Sequence, residues 1–238
     1  MKKIILYFLV FSLFYSCKVV SQRKTKKETN QTTAQKPKSK TPKYADFVTK
    51  DTKTDDGLFK VHETKEKYYY EIPNALLEKE MLLVTRIKDI PAGLGGGYVN
   101  AGSKINEQVI VWEKFKNNIL LKVKSYNAIA NDSLPIYKSV KSNNLEPIIY
   151  AFDIKTMNKD STATLIEVTK LFDSDVKAIS GLPGRFRSSY KVRRLDASRS
   201  FINSIKSYPE NIEVVQDFTF DADAPPSNRS TNTITMRI

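Results

Sequence analysis

Apolar and polar positions alternate most clearly over Gln108–Tyr126, which reads QVIVWEKFKNNILLKVKSY. Two β-rich runs flank Asn117 and Asn118, and asparagine tolerates the positive φ that a two-residue hairpin loop requires. A loop at these two residues sets Trp112 opposite Val123. One face then collects Ile110, Trp112, Ile119, Leu121, Val123 and Ser125. The other face collects Glu113, Lys122 and Lys124. The pattern predicts a half-buried antiparallel hairpin at the centre of a sheet, because a one-residue slip would expose the tryptophan.

Other short runs along the chain have the composition of β-strands. They are residues 58–64, 67–73, 81–87, 147–154, 162–168, 190–195, 199–207, 213–220 and 232–238. Met81–Ile87 reads MLLVTRI and predicts a well-buried strand. Repeated short strands with few strong helical patterns favour a mainly β fold, built from antiparallel sheets and hairpins with a few short helices.

The amino-terminal residues 1–17 have the pattern of a signal peptide. Two lysines precede the apolar run Ile4–Tyr15, which is too short to span a bilayer as a helix. Cys17 is the only cysteine, and it follows Ser16 as in a bacterial lipobox. We therefore expect export and lipidation of Cys17, giving a lipid-anchored protein of the outer membrane or cell surface. The alternative is an ordinary signal peptide, cleaved a few residues further on, and a periplasmic or secreted protein.

The charge of the chain lies mostly before residue 44. The formal net charge is +13, yet the leader and the segment 18–43 carry +10 of it, so the remainder is only +3. Residues 18–43 are low in apolar side chains and predict a disordered basic tether. A nearly balanced remainder argues against a nucleic-acid partner.

Two further segments follow the tether. Residues 44–90 predict a small amino-terminal domain, and residues 91–238 predict a β-rich domain. The second begins with Pro91–Asn106, which holds five of the eight glycines and predicts a long loop. Gly97 and Gly102 approach the spacing of a phosphate-binding loop, but the Ser-Lys order is reversed and a strand follows instead of a helix. Nucleotide binding is therefore not expected.

Residues able to carry catalysis or bind a metal are sparse. His62 is the only histidine, and its position in a strand predicts a surface residue. A zinc site needs three or four histidine, cysteine or carboxylate ligands, and we expect none in this chain. Asp221 and Asp223 are weak evidence for calcium because they are only two acids. We expect no catalytic, cofactor-binding or metal-binding residue.

A charged cluster follows the Gly/Pro loop at 181–184. It consists of Arg193, Arg194, Asp196 and Arg199. One hypothesis is an ion-pair network that fixes a bend between two strands. The other is docking onto an acidic partner surface.

Several strings of this sequence together resemble a known family. They are GLFKVHETKEKYYYEIP, LLVTRI, PAGLGGG, NEQVIVWE, SLPIY, NNLEPIIYAF, VRRLDASRSFI and PENIEV. They resemble the amino-terminal region of large exported zinc-dependent metallopeptidases of Bacteroidetes-type bacteria, where two domains of unknown function precede the peptidase. The resemblance covers roughly residues 44–238. It carries no established catalytic residue.

The chain departs from that family in one respect. The peptidase signature His-Glu-x-x-His is absent, because there is a single histidine. The resemblance implies a noncatalytic front module whose partner is a downstream peptidase domain, with zinc expected only there. Its roles would be folding, latency or substrate presentation. The alternative is a self-sufficient surface lipoprotein whose β domain binds protein or glycan. Because Thr231–Ile238 alternates up to an apolar last residue, we also expect the second domain to be truncated at its carboxyl end.

Overall fold

A computed structural model describes residues 42–65, 67–95, 100–226 and 230–238. The predicted signal peptide, Cys17 and nearly all of the predicted tether lie outside these residues. The strands are β1 (Lys53–Asp55), β2 (Lys60–Glu63), β3 (Tyr68–Pro73), β4 (Glu80–Arg86), β5 (Lys104–Phe115), β6 (Asn118–Val123), β7 (Ile148–Met157), β8 (Ala163–Glu167), β9 (Val192–Leu195), β10 (Phe201–Ser207), β11 (Ile212–Ala222) and β12 (Thr233–Arg237). The α-helices are α1 (Tyr137–Asn143), α2 (Thr169–Phe172) and α3 (Gly184–Ser189). The predicted mainly β fold class is confirmed.

The larger sheet has eight strands in the order β1-β2-β3-β8-β7-β6-β5-β4. Every neighbouring pair is antiparallel. The predicted domain boundary at residue 90 falls between β4 and β5, which are paired with each other. Strand β3 also pairs with β8. Both predicted segments therefore contribute strands to one sheet.

The smaller sheet is built around the long strand β11. Strand β12 pairs along one side of β11, and β10 and β9 pair along the other. Strands β9 and β10 are joined by a single helical turn, Ala197–Arg199. This turn is the bend that the charged cluster was predicted to occupy.

The predicted hairpin is present, but its loop is one residue earlier. The structure pairs Phe115 with Asn118, so the loop is Lys116-Asn117, and Lys116 takes the positive φ of 55°. Trp112 lies opposite Leu121 and not opposite Val123. The predicted register was therefore wrong by two residues. Two residues are one full strand period, so the predicted apolar face is still the buried one. The hairpin also lies near one edge of the sheet, not at its centre.

The main core lies between the two sheets. Trp112 is buried, and its ring lies 6.0 Å from Phe59 and 5.6 Å from Phe152 between ring centroids. Ile205 of β10 belongs to the same apolar cluster. We call the face of the eight-stranded sheet that carries Trp112 the inner face, and the opposite face the outer face.

The outer face differs between the two ends of the large sheet. Near β2 and β3 it is covered by residues 42–52, and Phe47 of this segment lies edge-on to Tyr69 at 5.9 Å. Near β4, none of the described segments covers Leu82, which is 60% exposed. The prediction of a well-buried strand at residues 81–87 was therefore wrong. The run MLLVTRI is apolar, but only one of its faces meets the core.

A smaller core lies beneath β11 and β12. It consists of Ile87, Leu182, Phe218, Phe220, Met236 and Ile238. The alternation predicted for the last strand is confirmed, because Ile234, Met236 and Ile238 are buried. On the other side of β12, Arg237 forms a bridge with Asp89, just after β4.

Candidate functional site

The predicted arginine cluster comes together at the bend between β9 and β10. Asp196 accepts hydrogen bonds from the Ser198 hydroxyl at 2.5 Å, from Arg199 Nε at 2.7 Å and from the Ser198 backbone at 2.9 Å. These contacts lower the pKa of Asp196 to about 2. Arg199 also lies 3.0 Å from Asp221, which Arg194 contacts at 3.1 Å. This is the geometry that the structural-network hypothesis requires.

Arg193 stands apart from that network. It pairs with Asp223 at 3.4 Å, and both side chains are more than half exposed. Asp221 and Asp223, the two acids considered for calcium, thus have arginine partners. Among the residues that the structure describes, no group of three or more histidine, cysteine or acidic side chains could hold a metal ion. The docking hypothesis for Arg193 and Arg194 remains a prediction.

His62 was predicted on the surface, and this prediction was wrong. The residue is only 2% exposed. Its side chain lies on the outer face of β2, where residues 42–52 cover it. The strand pattern could not reveal this, because the cover comes from a segment outside the sheet.

A buried hydrogen-bond network surrounds His62. Its Nε2 lies 3.0 Å from Oε2 of Glu71, and its Nδ1 lies 2.8 Å from the Thr54 hydroxyl. The Tyr44 hydroxyl donates to the same Glu71 oxygen at 2.6 Å. Burial raises the pKa of the Glu71 carboxyl, but the hydrogen bonds from Tyr44 and His62 outweigh it, so the pKa is lowered overall. The network fastens the entry segment to the sheet.

A cavity of about 300 Å³ lies beside the Gly/Pro loop. Its lining includes Ser180, Gly181 and Arg187. Arg187 donates two hydrogen bonds to Asp175, one to the Ser180 hydroxyl and one to the Leu182 carbonyl. The guanidinium group therefore forms its hydrogen bonds with residues around the cavity, and these bonds hold the Gly/Pro loop in place.

The uncovered part of the outer face carries a charged cluster. Lys122 lies 2.8 Å from Glu113 and 3.4 Å from Glu146, and Lys124 lies 2.9 Å from Glu146. The hydrogen bond that Lys122 donates to Glu113 raises the pKa of Lys122. Glu146 stands at the end of the segment that joins β6 to β7. Lys122 of β6 therefore ties the carboxyl end of this segment to the sheet, and the pair of Lys124 with Glu146 joins its two ends.

That segment, residues 124–147, is called here the β6–β7 connection. It begins and ends on the outer face, and Tyr126 within it donates a hydrogen bond to Glu80 of β4. Five large apolar side chains of the connection are exposed, and so is Ile148, the first residue of β7. The five are Tyr126, Ile129, Leu134, Ile136 and Leu145. Sequence reasoning missed this surface, although the apolar residues of a segment with no strand pattern were the available signal.

Comparison with known families divides the chain in two. Residues 41–90 match the family described as Domain of unknown function (DUF5118). Residues 102–238, more than half of the chain, match the family described as Domain of unknown function (DUF5117). The chain belongs to the DUF5117 family. Comparisons with curated proteins and with solved structures found no match.

The DUF5117 match begins just before β5 and includes the β6–β7 connection, the arginine cluster and the cavity wall. The DUF5118 match contains β1 to β4 and therefore His62 and Glu71. The two matches meet along the β4–β5 and β3–β8 pairs of the large sheet. In the described part of the chain, no helix is long and apolar enough to cross a membrane.

Proposed function

We propose that this chain is a noncatalytic, protein-binding module of an exported zinc-dependent metallopeptidase. It contacts the peptidase part of the same protein through the β6–β7 connection. The observation that carries the proposal is the exposed apolar surface of this connection. Leu145 is 87% exposed and Ile129 is 72% exposed.

Single exposed apolar residues are common on protein surfaces, but a group of them usually marks an interaction site. Here they occur within one segment whose two ends are joined by the Lys124–Glu146 pair. The segment is tied to the sheet by the contacts of Glu146 with Lys122 and of Tyr126 with Glu80. A tethered segment presents its side chains with a smaller ordering cost than a free loop would. The surface therefore suits binding to another folded protein.

The charge of the connection supports the same class of partner. Residues 124–147 contain three lysines and two acids, so the segment is nearly neutral. Nucleic-acid and anionic membrane surfaces select strongly basic patches. The cores of protein–protein interfaces are depleted in charge.

The peptidase part as the partner rests on the sequence resemblance described above. In such a protein the module would assist folding, latency or substrate presentation. The adjacent matches to two domains of unknown function support this proposal, because two such domains precede the peptidase in the resembled family. A self-sufficient lipoprotein that binds another protein or a glycan is the alternative function.

The proposal is tested by a binding measurement between the full chain and the peptidase part of a protein of the resembled family. The variant Ile129→Asp/Leu145→Asp places two charges on the connection, and we expect it to bind at least about tenfold more weakly. The matched control is Phe115→Asp/Phe201→Asp, which changes two exposed residues outside the connection. The control should bind as the unaltered chain does.

Two results would contradict the proposal. One is that the unaltered chain does not bind the peptidase part at all. The other is that the variant and the control weaken binding equally. Both variants change residues that are already exposed, so near-native folding is expected and can be checked by circular dichroism.

A further inference from the structure

Among the residues that the structure describes, the edge of the large sheet at β4 is open along seven residues. Strand β4 is the last in the sheet order, and its pairing is with β5. On the far side of β5, the Lys124 backbone donates to the Val109 carbonyl, so Val109 faces β6. Backbone groups alternate direction along an antiparallel strand, and Ile110 therefore faces β4 and its partner Met81.

The same alternation sets which groups of β4 point outward. Met81, Leu83 and Thr85 direct their backbone groups to β5. The four residues between and beside them direct theirs away from the sheet: Glu80, Leu82, Val84 and Arg86. Lys88, two residues after Arg86, has the same backbone direction as these four. Its N–H donates to the Arg237 carbonyl of β12 and so points away from β5. Among the described residues, the outward groups of β4 have no strand partner.

The middle of this edge lacks the features by which proteins usually protect an exposed strand. Natural edge strands are short, or carry charged side chains, proline or a bulge on the exposed side. Here the charged residues are Glu80 and Arg86 at the two ends, and the extra residue of the register shift near Arg86 lies on β5. Strand β1, at the opposite edge, has only three residues. Strand β4 has seven residues, with neither lysine nor proline, and Leu82 is 60% exposed. Beyond residue 87 the edge is occupied, because Arg237 of β12 forms a bridge with Asp89. The open part is therefore Glu80–Arg86, and Leu83 is its central residue.

The open strand is complementary to itself. When two copies of Glu80–Arg86 run antiparallel about Leu83, Glu80 lies opposite Arg86 of the second copy. Leu82 then lies opposite Val84 of the second copy. The facing residues are those whose backbone groups point outward, so each facing pair can form both ladder hydrogen bonds. A shift of two residues would place Glu80 opposite Lys88, or Glu78 opposite Arg86. Neither shifted register can form the full ladder, because the Lys88 N–H already donates to Arg237 and the Glu78 N–H to Trp112.

We propose that β4 pairs with β4 of a second copy of this chain, antiparallel about Leu83, and joins two eight-stranded sheets into one. The contact is isologous, so the same surface serves both copies. Neither Glu80 nor Arg86 has an ion-pair partner in the described structure; Glu80 accepts from Tyr126, and Arg86 donates one bond to the Gly102 carbonyl. The remaining oxygen and N–H groups are available across the contact. This dimer does not depend on the proposed peptidase contact.

The proposal is tested by reversing the charge of Glu80 or of Arg86, the two residues that face each other across the two-fold axis. Two seven-residue strands form a small interface, so we expect the full chain to dimerise with a dissociation constant of about 10 to 100 µM. Glu80→Arg and Arg86→Glu each turn both symmetric ion pairs into repulsions. Each variant should dimerise at least about tenfold more weakly.

An equimolar mixture of the two variants is the decisive sample. The Glu80→Arg variant has arginine at both positions 80 and 86, and the Arg86→Glu variant has glutamate at both. A dimer of one copy of each therefore regains both ion pairs and should form at least as well as the dimer of the unaltered chain. Sedimentation velocity of the full chain in a density-matched nonionic detergent measures all four samples. Three results would overturn the proposal. The unaltered chain is monomeric at concentrations well above the expected dissociation constant, or either single variant dimerises as tightly as the unaltered chain, or the mixture of the two variants dimerises no better than each variant alone.

Discussion

The buried contact between His62 and Glu71 predicts a large loss of stability when the carboxylate is removed. Glu71 is 4% exposed and accepts two hydrogen bonds, from Tyr44 at 2.6 Å and from His62 at 3.0 Å. Glu71→Ala removes the acceptor of both. The matched substitution is Glu71→Gln, which keeps the side-chain volume and one carbonyl oxygen at the same place.

The magnitude follows from the burial of the donors. A buried donor left without an acceptor costs about 1–3 kcal/mol, and His62 is such a donor. Tyr44 is only partly buried and can turn to water, so it adds less. Together with the broken charged contact, Glu71→Ala should lower the free energy of unfolding by about 3 kcal/mol. Glu71→Gln should cost about 1 kcal/mol, because a neutral acceptor replaces a charged one.

Unfolding in urea measures both values on the full chain. Trp112 is the only tryptophan and lies in the main core, so its fluorescence reports global unfolding. For a domain of this size, a loss of 3 kcal/mol corresponds to a melting temperature lower by about 6–12 °C. The slope of the urea dependence should stay the same, since the surface exposed on unfolding does not change.

The same pair predicts a dependence on pH. The folded protein lowers the pKa of Glu71 below its ordinary value of 4.5. In the acidic window below pH 4.5 the unfolded chain therefore binds more protons at this group. Its stabilisation is complete above pH 4.5 and is lost as the pH falls through the folded pKa. The difference between the unaltered chain and Glu71→Gln should shrink over this window. The reasoning is refuted if Glu71→Ala costs less than about 0.5 kcal/mol, or if alanine and glutamine cost the same.

Three further predictions concern other parts of the chain. Gly57→Ala should lower the free energy of unfolding, measured by unfolding in urea, by about 2–3 kcal/mol, because the added Cβ would lie 2.6 Å from the Tyr208 carbonyl oxygen. The control Gly184→Ala should be neutral or stabilising, because the space around Gly184 is open. Asp196→Ala should lower the melting temperature more than Asp196→Asn. Since the pKa of Asp196 is lowered from 3.8 to about 2, that effect should be present above pH 3.8 and fade towards pH 2. Palmitate labelling should mark Cys17 in cells, whereas unlabelled protein starting after Ser21 would establish the ordinary signal-peptide alternative.

The hairpin shows how far local pattern extends. The alternation around Trp112 correctly predicted which face is buried, because that depends only on the two-residue period of a strand. It did not determine the register, since Lys116 rather than Asn118 joins Asn117 in the loop. A shift of two residues keeps every side chain on its face, so the pattern of apolar residues cannot distinguish the two registers.

The candidate surfaces were the least accessible to sequence reasoning. His62 is buried because residues 42–52 fold over it, and no feature of its own strand records that cover. Leu82 and Val84 look like core residues, but the structure leaves them at an edge. Burial on the outer face depends on which distant segment lies there, and a single strand carries no information about that segment.

The sequence alone therefore determined the mainly β class, the positions of most strands and the charged bend near Asp196, because propensity, alternation and turn chemistry are local properties. Only the tertiary structure decided that both segments share one sheet, that β4 lies at its edge and that His62 meets Glu71. These are contacts between separate elements, and some join residues far apart in the chain, as the pairing of β3 with β8 does. They form when the chain closes long loops and buries apolar area, and the energies that select them are summed over the whole fold.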